Sequence, residues 1–190
     1  MPVAQASGLS PNAVYKQGAG AGGTPALQSR QRWLKLATGD VDRAGDMLVL
    51  AGMDAENFLK NPQFLWQHGA SGSIVSTIGR IIELKQMKGA LYALAEYAAP
   101  EISPLAEQVF QMDLAGMLPA NSIGFRPIVC DANEFGGYTF TQWELIECSK
   151  VELPMNPDAI DGGKSYSLDQ ATDWLLTKSP ISNHLNYLSS

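Results

Sequence analysis

The stretch Trp143-Glu144-Leu145-Ile146-Glu147-Cys148-Ser149-Lys150-Val151-Glu152-Leu153 constrains the fold more than any other part of the chain. Its alternation reads as a β-strand, in which successive side chains point to opposite faces. Trp143, Leu145, Glu147, Ser149, Val151 and Leu153 then share one face, and Glu144, Lys150 and Glu152 share the other with Ile146 and Cys148. The first face is apolar apart from Ser149 and a carboxylate in its middle. A carboxylate in such a place is costly unless a partner satisfies it. One of the two histidines of the chain repeats the pattern: in Phe64-Leu65-Trp66-Gln67-His68, His68 falls in phase with Phe64 and Trp66. An inward Glu and an inward His on separate strands form an orienting pair that lacks only a nucleophile.

Other segments frame that strand. Arg32 to Ala37 reads as a first strand, followed by a loop marked by Gly39, Asp40 and Gly45. Asp54 caps a short helix ending at Asn61-Pro62. Ile74 to Leu84 and Ala90 to Ala98 form a hairpin about Gln86-Met87-Lys88-Gly89. Ser103-Pro104 opens a helix in which Leu105, Val109, Phe110, Leu114 and Met117 recur at helical spacing. Ser122 to Cys130 is a strand, and Asp131 to Gly137 turns it into the strand carrying Glu147. Pro154 and Asn156-Pro157 stop the pattern. The fold class is therefore α+β, a mostly antiparallel, barrel-like core with a few flanking helices. The expected organisation is a flexible tail over residues 1–30, one domain over 31–160, and a C-terminal tail over 161–190. Ser167 and Gln170 form a capping box there for a short helix from Leu168 to Lys178.

Composition narrows the function. With 45% hydrophobic and 17% charged residues, 190 positions suffice for one soluble domain with a sizeable core. A net charge of −6 lacks the basic footprint of a nucleic-acid binder. No apolar run has the length of a membrane span, and the first residues lack the pattern of a signal peptide. Cys130 and Cys148 read as two buried, reduced thiols, which fits a cytoplasmic setting.

Metal chemistry finds little support. There is no His-Glu-x-x-His, and neither Cys has a partner at zinc spacing. Gly39 to Asp46 begins like a calcium loop but places Ala44 and Ala51 where oxygen ligands belong. The nucleophile candidate is Ser122, in Asn121-Ser122-Ile123-Gly124-Phe125. Gly124 leaves an open approach, and nearby N–H groups could form an oxyanion hole. The segment also fits a serine entering a strand, and it is not a Gly-x-Ser-x-Gly elbow. His68 likewise fits a core histidine or a single metal ligand, although Gly69-Ala70-Ser71-Gly72 after it favours a catalytic place. His184 lies among polar residues near the end of the chain, and no role is assigned to it.

Taken in order, several segments resemble the prohead proteases of tailed bacteriophages. They are Val41-Asp42-Arg43-Ala44-Gly45-Asp46, Asn57-Phe58-Leu59-Lys60-Asn61-Pro62 with Leu65-Trp66-Gln67-His68, Ser122-Ile123-Gly124-Phe125, Glu147-Cys148-Ser149-Lys150-Val151, and Pro154-Met155-Asn156-Pro157. The likeness covers roughly residues 31–160. It implies a fold like that of the herpesvirus capsid-maturation protease. It implies a serine endopeptidase that cuts scaffold or capsid protein inside the immature shell in the host cytoplasm. The nucleophile falls on Ser122, the histidine on His68 and the acid on Glu147. No cofactor is implied; partners are the capsid and scaffold proteins, and the chain is expected to be a homodimer. Two departures from the family pattern stand out. Lys150 and Glu152 replace apolar or small residues, and Gly69 follows His68 where an acid is frequent. The rival readings are a catalytically silent assembly protein on the same fold and a small-molecule esterase using the same three groups.

Overall fold

A two-residue turn organises the centre of the fold. Lys88 and Gly89 both take left-handed backbone angles (φ 51° and 72°), the pair of conformations that closes a tight hairpin without splaying its strands. This turn joins β6 (Thr77–Met87) to β7 (Ala90–Tyr97) in a computed structural model that describes residues 14–16, 30–70 and 75–162. The other strands are β1 (Val14–Lys16), β2 (Gln31–Thr38), β3 (Met47–Leu48), β4 (Met53–Asp54), β5 (Gln63–Trp66), β8 (Asn121–Ala132) and β9 (Tyr138–Lys150). Among the described residues the α-helices are α1 (Glu56–Lys60) and α2 (Pro104–Leu114).

The strands join in one nine-stranded, curled sheet of a mixed α+β fold, in the order β2-β7-β6-β5-β9-β3. Strand β9 is its spine. Along one edge it carries the short strands β3, β4 and β5, each parallel to it, and along the other the long antiparallel β8. The β8–β9 connection is set by Asn133, whose side-chain oxygen accepts from the N–H groups of Phe135 and Gly137.

Alternation along β7 and β2 directs Leu34, Leu36, Leu91, Ala93 and Ala95 into the core, where they meet Phe64, Ile78, Ile81, Trp143 and Leu145. Each large side chain so buried contributes about 1.5–3 kcal/mol of transfer free energy. Helix α2 closes the core. Ser103 caps it by accepting from Ala106 N–H at 3.1 Å, with Pro104 in the first turn. It buries Ala106, Val109 and Phe110, and Phe110 stacks on Tyr97 at 5.0 Å between ring centroids.

Both expected domain limits shift. Residues 14–16 pair with Glu83–Lys85 as an added strand on β6, so residues 1–30 are not a tail throughout. Arg30 is anchored as well, donating to the carbonyls of Tyr97 and Ala98 and to Glu107. At the other end Ile160 bridges Ala120, and the Asp161 carboxylate enters the core. A limit at residue 160 would cut through that packing. The expected helix from Leu168 to Lys178, and His184, lie outside the described residues.

Candidate active site

His68, Ser122 and Glu147 come from three neighbouring stretches of the sheet: the end of β5, the start of β8, and β9 between them. His68 Nδ1 lies 2.6 Å from Glu147 Oε1. Ser122 stands directly across from Ser149 in the β8–β9 register, and Ser122 and His68 line one cleft of about 280 Å³. No hydrogen bond joins the side chains of Ser122 and His68. A larger groove of about 570 Å³, between β6, β7 and the start of α2, is lined by none of the three.

The route by which Glu147 reaches this place differs from simple alternation. Gly124 pairs with Glu147 and Phe125 with Leu145, so Ile146 is an extra residue bulged out of the ladder. A bulge of one residue inverts the phase beyond it. Trp143 and Leu145 therefore share the core with Cys148 and Lys150, while Glu147 and Ser149 take the opposite face. The sequence-based face, which grouped Glu147 with Trp143 and placed Lys150 outside, is corrected on both counts.

Gly124 also has another use than the expected open path for substrate. A Cβ at this position would sit 2.5 Å from Glu147 Oε1. The missing side chain is the room in which the Glu147 carboxylate lies across to His68.

Strand phase does not place His68 either. Strand β5 ends at Trp66, and Gln67 and His68 follow with φ of 52° and 55°. Two consecutive non-glycine residues in the left-handed region are uncommon, and such conformations persist only where surrounding contacts hold them. Ser149 supplies one such contact. Its hydroxyl accepts from His68 N–H at 3.2 Å and donates to Glu147 Oε2 at 2.5 Å. It thus fixes the turn and the carboxylate together. Ser149 was legible only as a polar residue two positions after Glu147, which is the spacing of a shared strand face.

The electrostatics follow from this arrangement. The hydrogen bond and charge of Glu147 raise the pKa of His68 above its ordinary 6.5, and partial burial works against them. With Nδ1 committed to Glu147, Nε2 is the nitrogen left for a hydroxyl. The cleft is lined by apolar residues, among them Leu36, Ala37 and Phe125, and by Asp42 and Asp46. Those two acids shape the loop before β3. Asp42 Oδ1 accepts from Ala44 and Asp46 N–H, and Asp46 Oδ1 accepts from Tyr138 N–H. The loop that begins like a calcium site is thus a wall of the cleft. Of the two thiols, Cys148 is buried, and burial raises its pKa, whereas Cys130 is exposed, contrary to expectation.

No family model, no curated protein and no solved structure matches this chain.

Proposed function

We propose that this chain is a serine endopeptidase of the prohead-protease kind, with a fold like that of the herpesvirus capsid-maturation protease. Its substrates are capsid or scaffold protein inside an immature phage shell in the host cytoplasm, and it acts as a homodimer. The observation that carries the reading is the 2.6 Å pair of His68 and Glu147 beside Ser122 in one cleft. In this mechanism Ser122 Oγ attacks the scissile carbonyl while His68 Nε2 takes its proton. Collapse of the tetrahedral intermediate breaks the C–N bond, and His68 returns the proton to the leaving amine. Water, deprotonated by the same imidazole, then hydrolyses the acyl-enzyme. Glu147 holds the tautomer with hydrogen on Nδ1 and stabilises the imidazolium. The motif residues quoted above supply the substrate class.

The test is incubation of the purified chain with the capsid and scaffold proteins of its own phage. Discrete cleavage that Ser122→Ala abolishes, by a factor of roughly 10⁴ or more, with an unchanged melting transition, supports the proposal. Binding without cleavage assigns the chain instead to assembly, and ester turnover alone to the small-molecule esterase.

A further inference from the structure

Lys150 departs from the family pattern, and its surroundings give the departure a use. Its side chain is fully buried, with Nζ 2.9 Å from Asp113 Oδ1, 2.5 Å from Asp161 Oδ2 and 3.0 Å from Asn121 Oδ1. Asp113 lies on α2 and also accepts from the Tyr97 hydroxyl at 3.0 Å. Asp161 Oδ1 accepts from Lys35 N–H and from Asn121 Nδ2, both at 2.8 Å. The group therefore joins α2, β8, β9 and the segment after Pro157 at Lys150 Nζ, while the Asn121 side chain ties it to β2 by donating to Lys35 O at 3.1 Å.

Asn121 immediately precedes Ser122. Its backbone is held from the same direction: Asn121 N–H donates to Ala159 O at 2.8 Å, and Asp161 N–H donates to Pro119 O at 2.8 Å. Adjacent strand residues face opposite ways, so Lys150 and the two carboxylates lie on the core side while Ser122 faces the cleft, which Asn121 also borders. Lys150 is thus not a base for Ser122, and its network reaches the serine through Asn121.

We propose that Asp161 is a positioning residue for Ser122. It acts through Asn121, so that the segment after Pro157 is a strap completing the active site. The inference rests on Ser122 being the nucleophile. Asp161→Ala removes both bonds to Asn121 and Lys35. Asp161→Asn keeps the Oδ1 acceptor for Asn121 and Lys35 but gives up both the charge and the Oδ2 acceptor that faces Lys150 Nζ.

The experiment uses the full chain, at a temperature at which each variant retains its native near-ultraviolet circular dichroism. The rate of Ser122 labelling by a fluorophosphonate is the readout. Asp161→Ala should slow labelling roughly ten- to a hundred-fold, the scale of a misplaced reacting group. In peptide cleavage the loss should fall on kcat, with KM little changed. Asp161→Asn should label close to the parent rate despite a lower melting temperature. Asn121→Ala should match Asp161→Ala, and the double variant should be no slower than either alone.

Parent-like labelling of folded Asp161→Ala overturns the proposal, as do single effects that multiply in the double variant. A loss in Asp161→Asn equal to that in Asp161→Ala assigns the effect to the contact with Lys150 and also overturns it. Should Asp161→Ala not fold, parent-like labelling of Asn121→Ala overturns it, and slowed labelling there with parent-like labelling of Asp161→Asn supports it. Should the parent itself not label, the nucleophile assignment fails separately, and amide exchange decides the strap. Faster exchange at Asn121 and Ser122 in the least disruptive folded variant, with β6 and β7 unchanged, upholds the strap; unchanged exchange removes it.

Discussion

The two faces of β9 beyond its bulge solve the same problem, ionisable side chains within a sheet, in opposite ways. On the cleft face Glu147 has one ionisable partner, His68, whose side chain is 43% exposed. On the core face Lys150 is wholly enclosed by two carboxylates and an amide. Desolvating a charge is costly, and a buried ion stays charged only where several partners replace water. The core group surrounds Lys150 with such partners and leaves little freedom for change. The cleft pair has a titratable member in contact with solvent, the arrangement that proton transfer needs. Depth and partner number, more than the kind of residue, separate a group suited to chemistry from one suited to architecture.

The sharpest way to break this comparison is Glu147→Gln. The cleft face predicts a fall in turnover of roughly 10³–10⁴-fold with the fold retained, because the amide cannot stabilise imidazolium. The pH profile sharpens it. In the folded chain the Glu147 hydrogen bond raises the His68 pKa, so the proposed activity should rise with pH through a midpoint above that of an ordinary imidazole. In Glu147→Gln that acid limb should move down. The sign for stability is the reverse of that for activity. The stabilisation from the pair is fully present below the unfolded value and is lost as pH rises through the folded one. An acid limb unmoved by the substitution would detach His68 from Glu147 in the mechanism.

Lys150→Met tests the other face. It leaves Asp161 buried without its cation and Asp113 with only the more distant Arg32 at 3.4 Å, and a loss of about 3–5 kcal/mol in chemical denaturation is expected. A loss well under 1 kcal/mol would mean that the core face tolerates charge as the cleft face does. The smallest effect expected is that of Gly124→Ala. The new methyl group meets the movable end of Glu147, so the melting transition should hold while turnover falls roughly a hundred-fold through displacement of the carboxylate. The proton resonances of His68 should shift with it, and unchanged turnover would show that Glu147 has room elsewhere.

How much of this was legible beforehand depended on whether the cause was local. The hairpin at Lys88-Gly89 and the cap at Ser103 arise from residues within a few positions of their effect, and composition and spacing announce them. The bulge at Ile146 has no such signature. It is a property of the pairing between β8 and β9, and alternation read along one strand runs straight through it. That single residue explains both the misassigned face of Glu147 and the unexpected burial of Lys150. Asp161 illustrates the same limit, since nothing near it in sequence indicates a lysine, an asparagine and a backbone amide waiting in the core. Strand β1 owes its place to the open edge of β6. The proximity of His68 to Glu147 was anticipated from two inward polar residues, but the left-handed turn and the Ser149 hydroxyl that hold them were not.

The parallel pairing of β5 with β9 has a consequence in time. His68 and Glu147 are 79 positions apart, and they meet only when Phe64–Trp66 docks beside Cys148–Lys150. Contacts of such long sequence separation form slowly, because loop-closure entropy must be overcome before they stabilise anything. A nascent or half-folded chain, even one with Ser122 already exposed, therefore has no oriented imidazole. Any hydrolytic activity that depends on the pair is delayed until the two halves of the sheet have met.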